Sequence, residues 1–236
     1  MNKKLIVITG ASSGIGKELA KHFSRKGHSL LLIARRLQPM LDLNLPNSLC
    51  LSIDVKNKEA IKSAIDEAEN KFGSTDCLIN NAGIWNFGEF TAKNLEFTNK
   101  EIIETNILGF TNCIEAVLLG MQKRKFGTII NMSSGADRYP VPGTAAYGAT
   151  KAAIKSITDS LAAENTGKNV RLCNIAPGLI DTPIFDSIKL QELDDFRATG
   201  EMIKTSEFAE IVYWIYSQPQ HICIKDILIA PTNWKI

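Results

Sequence analysis

Short apolar runs alternate with longer, one-sidedly apolar stretches along the whole chain, and nothing else in the sequence limits the fold as much. Runs at 5–9, 29–34, 49–53, 77–80, 128–132, 171–175 and 223–229 read as strands. They are mostly continuous rather than alternating, which suits parallel strands covered by helices on both faces. Between them lie helical patterns at 15–26, 58–71, 101–125, 145–165 and 206–217. In the second of these, Ile61, Ala64, Ile65, Ala68 and then Phe72 recur at spacings of three and four, a single stripe on a helix. Such alternation builds βαβ units. The expected fold class is therefore α/β, a doubly wound parallel sheet of about seven strands flanked by helices, with 1–236 as one domain. Pro39 and Pro46 break the stretch between 37 and 49, so a truncated helix or none is expected there.

Composition removes several function classes. Apolar residues are 44% and charged residues 22% of the 236, enough apolar surface to exclude a disordered chain. Lys plus Arg number 27 against 25 Asp plus Glu, which argues against nucleic-acid binding by bulk charge. The five cysteines (50, 77, 113, 173, 223) form no C-x-x-C and only three histidines accompany them, so no metal site is expected. Dispersed cysteines in apolar runs suit reduced core residues and a cytoplasmic location. The apolar run at 5–8 is too short for a signal peptide, and no stretch of 18 apolar residues suggests a membrane span.

In a doubly wound sheet, ligands bind beyond the carboxyl ends of the strands. The first strand runs into Gly10-Ala-Ser-Ser-Gly14-Ile15-Gly16 and then a helix. Gly10 allows a tight turn, Gly14 lets backbone approach a pyrophosphate, and Gly16 lets the helix pack on the strand, while the helix N-terminus favours anions. No G-K-[ST] closes the loop, so it is not a nucleotide-hydrolase loop. The second strand ends in Ala34-Arg35-Arg36, where an NAD-binding chain would carry a carboxylate for the ribose 2′-hydroxyl. Guanidinium groups there suit a 2′-phosphate, so NADP(H) is expected and NAD(H) less so.

Tyr147 and Lys151 are four apart on a helical pattern, one turn from each other on the same face. A tyrosine of ordinary pKa is a poor acid–base group near neutrality, and a neighbouring ammonium is expected to lower it. Ser134 follows the strand at 128–132, where its hydroxyl either caps a turn or meets a substrate oxygen. Asn106 sits in the 101–125 helix, either as a surface residue or as the holder of a water near the lysine.

Together these residues resemble the short-chain dehydrogenase/reductase family over nearly the whole chain. In order, the matching positions are Thr9 through Gly16, Asp54-Val55, Asn80-Asn81-Ala82-Gly83, Asn106, Ser134, Tyr147-x-x-x-Lys151, and Pro177-Gly178 with Thr182. The resemblance implies a Rossmann-type fold, a nicotinamide dinucleotide and the interconversion of alcohols and carbonyls. It makes Tyr147 the acid in reduction and the base in oxidation. Lys151 would bind the nicotinamide ribose and lower the Tyr147 pKa, Ser134 would orient the substrate oxygen, and Asn106 would hold a relay water. Cofactor contacts are implied for Gly10, Ser12, Ser13, Gly14 and Ile15, for Arg35 and Arg36, and for Asp54 and Val55. The same holds for Asn80, Ala82 and Gly83 and for Pro177, Gly178, Ile180 and Thr182.

Ser13 stands where many NADP-preferring members carry a basic residue, which leaves the 2′-phosphate to Arg35 and Arg36. The ending Asp226-Ile-Leu-Ile-Ala-Pro-Thr232 resembles the branch with hydroxy-acid dehydrogenases and general carbonyl reductases. A small substrate lid is expected over 183–204, and Trp85, Phe87, Tyr139 and Val141 are read either as an apolar substrate wall or as core and oligomer contacts. A small-molecule carbonyl or alcohol is the expected substrate class, and a homodimer or homotetramer is expected. The alternative is a catalytically silent, NADP(H)-sensing or partner-binding member; an intact Asn106, Ser134, Tyr147 and Lys151 set argues against it.

Overall fold

The structure, a computed structural model, describes residues 4–186 and 201–234. Seven strands form one sheet in the order β3-β2-β1-β4-β5-β6-β9, and every neighbouring pair is parallel. They are β1 (Leu5–Thr9), β2 (Ser29–Ala34), β3 (Ser48–Ser52), β4 (Thr75–Asn80), β5 (Gly127–Met132), β6 (Val170–Pro177) and β9 (Asp226–Ile229). A second, two-residue ladder joins β7 (Ile180–Asp181) to β8 (Ile203–Lys204), with Ile180 opposite Ile203. The helices are α1 (Gly14–Arg25), the single turn α2 (Gln38–Leu41), α3 (Lys58–Phe72), α4 (Asn99–Ile103), α5 (Phe110–Arg124), α6 (Ala145–Glu164) and α7 (Thr205–Ser217). The one-turn α2, which contains Pro39, is the truncated helix expected in the 37–49 stretch.

The continuous apolar strands are explained by two cores. Side chains alternate across a strand, so Ile6, Ile8, Leu30, Leu32 and Ile79 pack with Leu19 and Phe23 of α1 and Phe208 and Val212 of α7. Their neighbours Leu5, Val7, Leu31, Ile33 and Leu78 face Ile61 and Ile65 of α3, Ile114 and Val117 of α5, and Ile154 of α6. Both faces of the central strands β1 and β2 are covered, so their residues are buried throughout instead of alternating with exposed ones. Asn99–Arg124 is 26 residues long and apolar enough by composition to cross a membrane, but its Phe110, Ile114, Val117 and Met121 are spent on the second core.

Two elements depart from expectation. The helix expected over 101–125 starts earlier, at a capping box in which Thr98 Oγ1 accepts from Glu101 N and Glu101 Oε2 accepts from Thr98 N. It also widens into a π-turn over Glu104–Gly109. Gly109 is pressed against the loop after β3, where a Cβ would stand 2.4 Å from Val55 Cγ2. The strand expected over 223–229 pairs only from Asp226. Just before it the chain wraps around the buried Arg171 instead, whose guanidinium donates to Tyr216 O (2.7 Å), Gln218 O (2.8 Å) and Thr128 Oγ1 (2.8 Å).

The strand order reverses between β1 and β4: the chain builds outward through β2 and β3 on one side and through β5, β6 and β9 on the other. The crevice this leaves beyond their carboxyl ends is where such sheets bind ligands.

Candidate active site

A pocket of about 990 Å³ lies at that crevice, lined by the loops after β1, β2, β3, β4, β5 and β6 and by α6. Every cofactor-contact residue expected from the sequence lines it except Asn80. The Asn80 side chain is buried beneath the loop: its Nδ2 donates to Phe110 O (2.9 Å) and its Oδ1 accepts from Thr9 Oγ1 (3.5 Å). The side chain of this last β4 residue points into the protein, where it ties the end of β4 to Phe110 and Thr9.

The loop after β1 is held from below. Thr9 Oγ1 accepts from Asn81 N and Ala82 N, both at 3.0 Å, and Asn81 Nδ2 donates to Thr9 O at 3.0 Å. Gly10 has a φ of +67°, and a Cβ there would meet Asn81 Nδ2 at 2.9 Å; at Gly16 it would sit 2.3 Å from Gly10 O. Only glycine permits this turn and this helix-to-strand approach. The first turn of α1 has no acidic residue and its N-cap, Ser13, makes no side-chain cap bond, so its backbone N–H groups and positive dipole end stand beside the pocket.

Arg35 and Arg36, both exposed, flank the pocket at the end of β2, and Arg36 Nη2 donates to Ser12 Oγ at 3.3 Å. Asp54 and Val55 follow β3. Asn112 of α5 fixes them by donating to Val55 O (3.1 Å) and Lys56 O (3.2 Å). On the far side, Gly178 N donates to Ile229 O at 2.8 Å, and Thr182 packs 3.4 Å from where a Gly14 Cβ would be, which closes the ring around the pocket.

Ser134, Tyr147 and Lys151 meet at the other end. Ser134 and Tyr147 both line the pocket, with Ser134 placed to favour the Tyr147 phenolate by hydrogen bonding, and Ser134 Oγ accepts from Ala136 N (3.2 Å), so it caps a turn and faces the site at once. Lys151 Nζ donates to Met132 O at 2.9 Å and lies 5.4 Å from the centre of the Tyr147 ring. The expected lowering of the Tyr147 pKa by Lys151 is not what this geometry produces. Burial raises the tyrosine, the Ser134 bond opposes it, and the field of Asp137 adds to the rise. Burial also brings Lys151 down to about 8, against an opposing pull from Asp137.

Asn106 is fully buried in the π-turn and does not line the pocket. Its Nδ2 donates to Ile84 O (2.8 Å) and Thr150 Oγ1 (3.1 Å), and its Oδ1 accepts from Ile84 N (2.9 Å). It therefore ties the loop after β4 to the helix that carries Tyr147 and Lys151. Oδ1 stands 3.4 Å, and Lys151 Nζ 3.6 Å, from the point a Gly83 Cβ would occupy.

Two contributors, Asp137 and Trp234, were missed by sequence reading. Asp137 has a fully buried side chain; its Oδ2 accepts from Ser133 Oγ (2.7 Å) and Asn174 Nδ2 (3.3 Å), and its Oδ1 from Arg138 Nε (2.6 Å). The only signal for it was an acid three residues beyond Ser134. Trp234, from the C-terminal tail, stands over Gly135, where a Cβ would lie 2.3 Å from its Cη2. Tyr139 does not line the pocket but packs edge-on to Trp234 at 6.0 Å. Phe185 belongs to the short turn Pro183–Phe185, and residues 187–200 of the expected lid lie outside the described residues.

A glycine-loop crevice with a serine–tyrosine–lysine cluster at one end defines a dinucleotide-fold oxidoreductase site. A profile of the short chain dehydrogenase family matches residues 4–193. A probable NADP-dependent dehydrogenase of Haemophilus influenzae is 30% identical, covering 98% of this chain and 95% of its own. An NADP-dependent 3-hydroxy acid dehydrogenase of Salmonella typhi is 32% identical over 97% and 95%. Among solved structures, the closed form of a serine dehydrogenase complexed with NADP+ superposes with a TM-score of 0.88 at 27% identity, covering 98% and 96%. The chain belongs to the short-chain dehydrogenase/reductase family, and it is an oxidoreductase.

Proposed function

We propose that the protein is an NADP(H)-dependent oxidoreductase that interconverts an alcohol and a carbonyl group, with Tyr147 as the acid–base. The observation that carries this is the Ser134–Tyr147 hydroxyl pair beside the buried Lys151, in the same pocket as the glycine loop and the arginine pair. The residues fit a dinucleotide phosphate. Gly10 and Gly16 make a cradle that any Cβ would fill, the α1 N-terminus adds a positive dipole end, and Arg35 and Arg36 suit a 2′-phosphate. Several relatives carry NADP in their names. Asp54 and Val55 would meet the adenine end, with Ala82 and Gly83 along the adenosine ribose. Pro177, Gly178, Ile180 and Thr182 would lie along the nicotinamide.

When bound, the nicotinamide supplies or accepts the hydride. In reduction, Tyr147 gives its proton to the carbonyl oxygen as negative charge develops there; in oxidation it takes the proton back. Burial keeps Tyr147 protonated and so poised as the acid. Ser134 donates to the same oxygen and stabilises the charge. Lys151, with its pKa brought to about 8, is largely cationic at neutral pH and would hold the ribose hydroxyls. The lone pair left on Asn106 Oδ1, on the Gly83 side that Lys151 also faces, would hold the water of a proton relay.

Other parts of the reading are proposals too. Ile103, Leu108 and Leu119, each about half exposed on the α4–α5 run, support a homo-oligomer. The five free cysteines suit a cytoplasmic location. One domain would span 1–236, with the lid over 183–204.

The test combines a fluorescence titration with NADPH and NADH and the Tyr147→Phe variant. Tighter NADPH binding is expected, and Tyr147→Phe is expected to lose turnover while keeping NADPH affinity. A variant that retains wild-type turnover refutes the acid–base role.

A further inference from the structure

We infer that the substrate is an uncharged carbonyl or carbinol carried on a bulky apolar body, and that a carboxylate one methylene from the reacting carbon is selected against. This rests on the oxidoreductase reading above. The space around the Tyr147 ring is walled by aromatic and aliphatic side chains. Trp85 meets Tyr147 edge-on with ring centres 5.8 Å apart and meets Phe185 edge-on at 5.3 Å. Its Nε1 donates to Ile184 O at 2.7 Å, so the indole spends its one polar group on the protein and offers the pocket only its apolar body. Phe87, Val141 and Ile184 complete this wall, and each leaves 38–41% of its surface exposed. Exposed apolar side chains gathered around a catalytic group favour an occupant that removes them from water.

The wall is held in shape. Gly88 N donates to Gly143 O at 2.9 Å, which joins the loop bearing Phe87 to the loop bearing Val141. The Phe87 ring stands 3.3 Å from where a Gly143 Cβ would be. The surface therefore exists before any ligand arrives.

Charge points the same way. Among the described residues lining the pocket, the cations are Arg35, Arg36 and Lys151. The arginines follow β2, which is three strands from β5 and Ser134 in the sheet order; at strand spacing that is about 14 Å. Lys151 donates one of its three N–H groups to Met132 O, and in the reading above the others go to the ribose hydroxyls. Against it stand Glu96, which lines the pocket, and the fully buried Asp137 behind Ser134. A desolvated carboxylate needs a paired cation, and the described wall presents none to a group one methylene from the reacting carbon. This separates the chain from what the name of its Salmonella relative would suggest.

The experiment uses the full chain with NADP+ and matched pairs: methyl 3-hydroxy-3-phenylpropanoate against its free acid, and methyl 3-hydroxybutanoate against its free acid. Formation of NADPH is followed by absorbance. In each pair the ester is expected to exceed the acid at least tenfold in kcat/KM, and the phenyl ester to exceed the butanoate ester. Phe87→Ala and Val141→Ala are expected to lower kcat/KM several-fold more for the phenyl ester than for the butanoate ester. An acid used as well as its ester overturns the inference. If no compound turns over, the same pairs are assayed by calorimetric binding to the NADP+-loaded protein. A phenyl ester bound at least tenfold tighter than its acid upholds the inference while the oxidoreductase reading fails. Equal affinity, or binding of neither, overturns the inference.

Discussion

Replacing Asn106 by alanine tests how the site is assembled. The wild-type amide makes three hydrogen bonds in a place with no solvent exposure, to Ile84 N, Ile84 O and Thr150 Oγ1. The substitution removes all three. It leaves the two Ile84 backbone groups without that partner, while Thr150 Oγ1 keeps its bond to Tyr147 O at 2.7 Å. Each orphaned backbone group costs about 1–3 kcal/mol, so the two together cost about 2–6 kcal/mol. With about 2.1 cal/mol/K per residue, 236 residues give an unfolding entropy of about 0.5 kcal/mol/K, so the cost appears as a Tm lowered by about 4–12 °C. Ile84 precedes Trp85, so the Trp85–Tyr147 contact loosens as well and kcat/KM falls at every pH. Differential scanning calorimetry and steady-state kinetics read the two effects. A Tm within about 2 °C of wild type would mean that the three bonds do not hold the loop, and the reasoning would fail.

Three further outcomes are expected. Arg35→Asp places a carboxylate at the end of β2, so NADPH affinity should fall much more than NADH affinity in a fluorescence titration, and an unchanged ratio would remove the 2′-phosphate argument. Gly16→Val drives a side chain into Gly10 O, so the purified variant should lose dinucleotide binding and melt several degrees lower; wild-type affinity would contradict the cradle. Lys151 titrates near 8 when folded but near its ordinary 10.5 when unfolded. Between these values the unfolded chain binds the extra proton, so this group adds stability as pH rises through the window. Measured by urea unfolding, wild type should therefore gain on Lys151→Met from pH 8 towards 10, and a constant difference would show that burial does not depress the lysine.

Much of the protein was legible in order of residues. The βαβ alternation, the Gly10–Gly16 loop, the arginines ending the second strand and the four-residue Tyr147–Lys151 spacing are local patterns, and local geometry expresses them directly. Continuous apolar strands announced a sheet covered on both faces, because each strand feeds two cores. What tertiary structure alone decided are matters of direction and environment. Asn80 ends a strand in the expected place, yet its side chain points inward to Phe110 O rather than to the crevice. Asn106 reads as a mid-helix polar residue, but it sits in the π-turn over Glu104–Gly109 and is surrounded by Ile84 and Thr150. Burial, which no spacing encodes, sets the protonation of Tyr147 and Lys151, so a pair expected to lower the tyrosine instead leaves it raised and the lysine lowered. Asp137 and Trp234 came to the site from a strand-end turn and from the distant C-terminal tail. Sequence patterns specify which elements form and which residues they carry; packing and desolvation, which depend on every neighbour in space, decide where those residues point and what charge they hold.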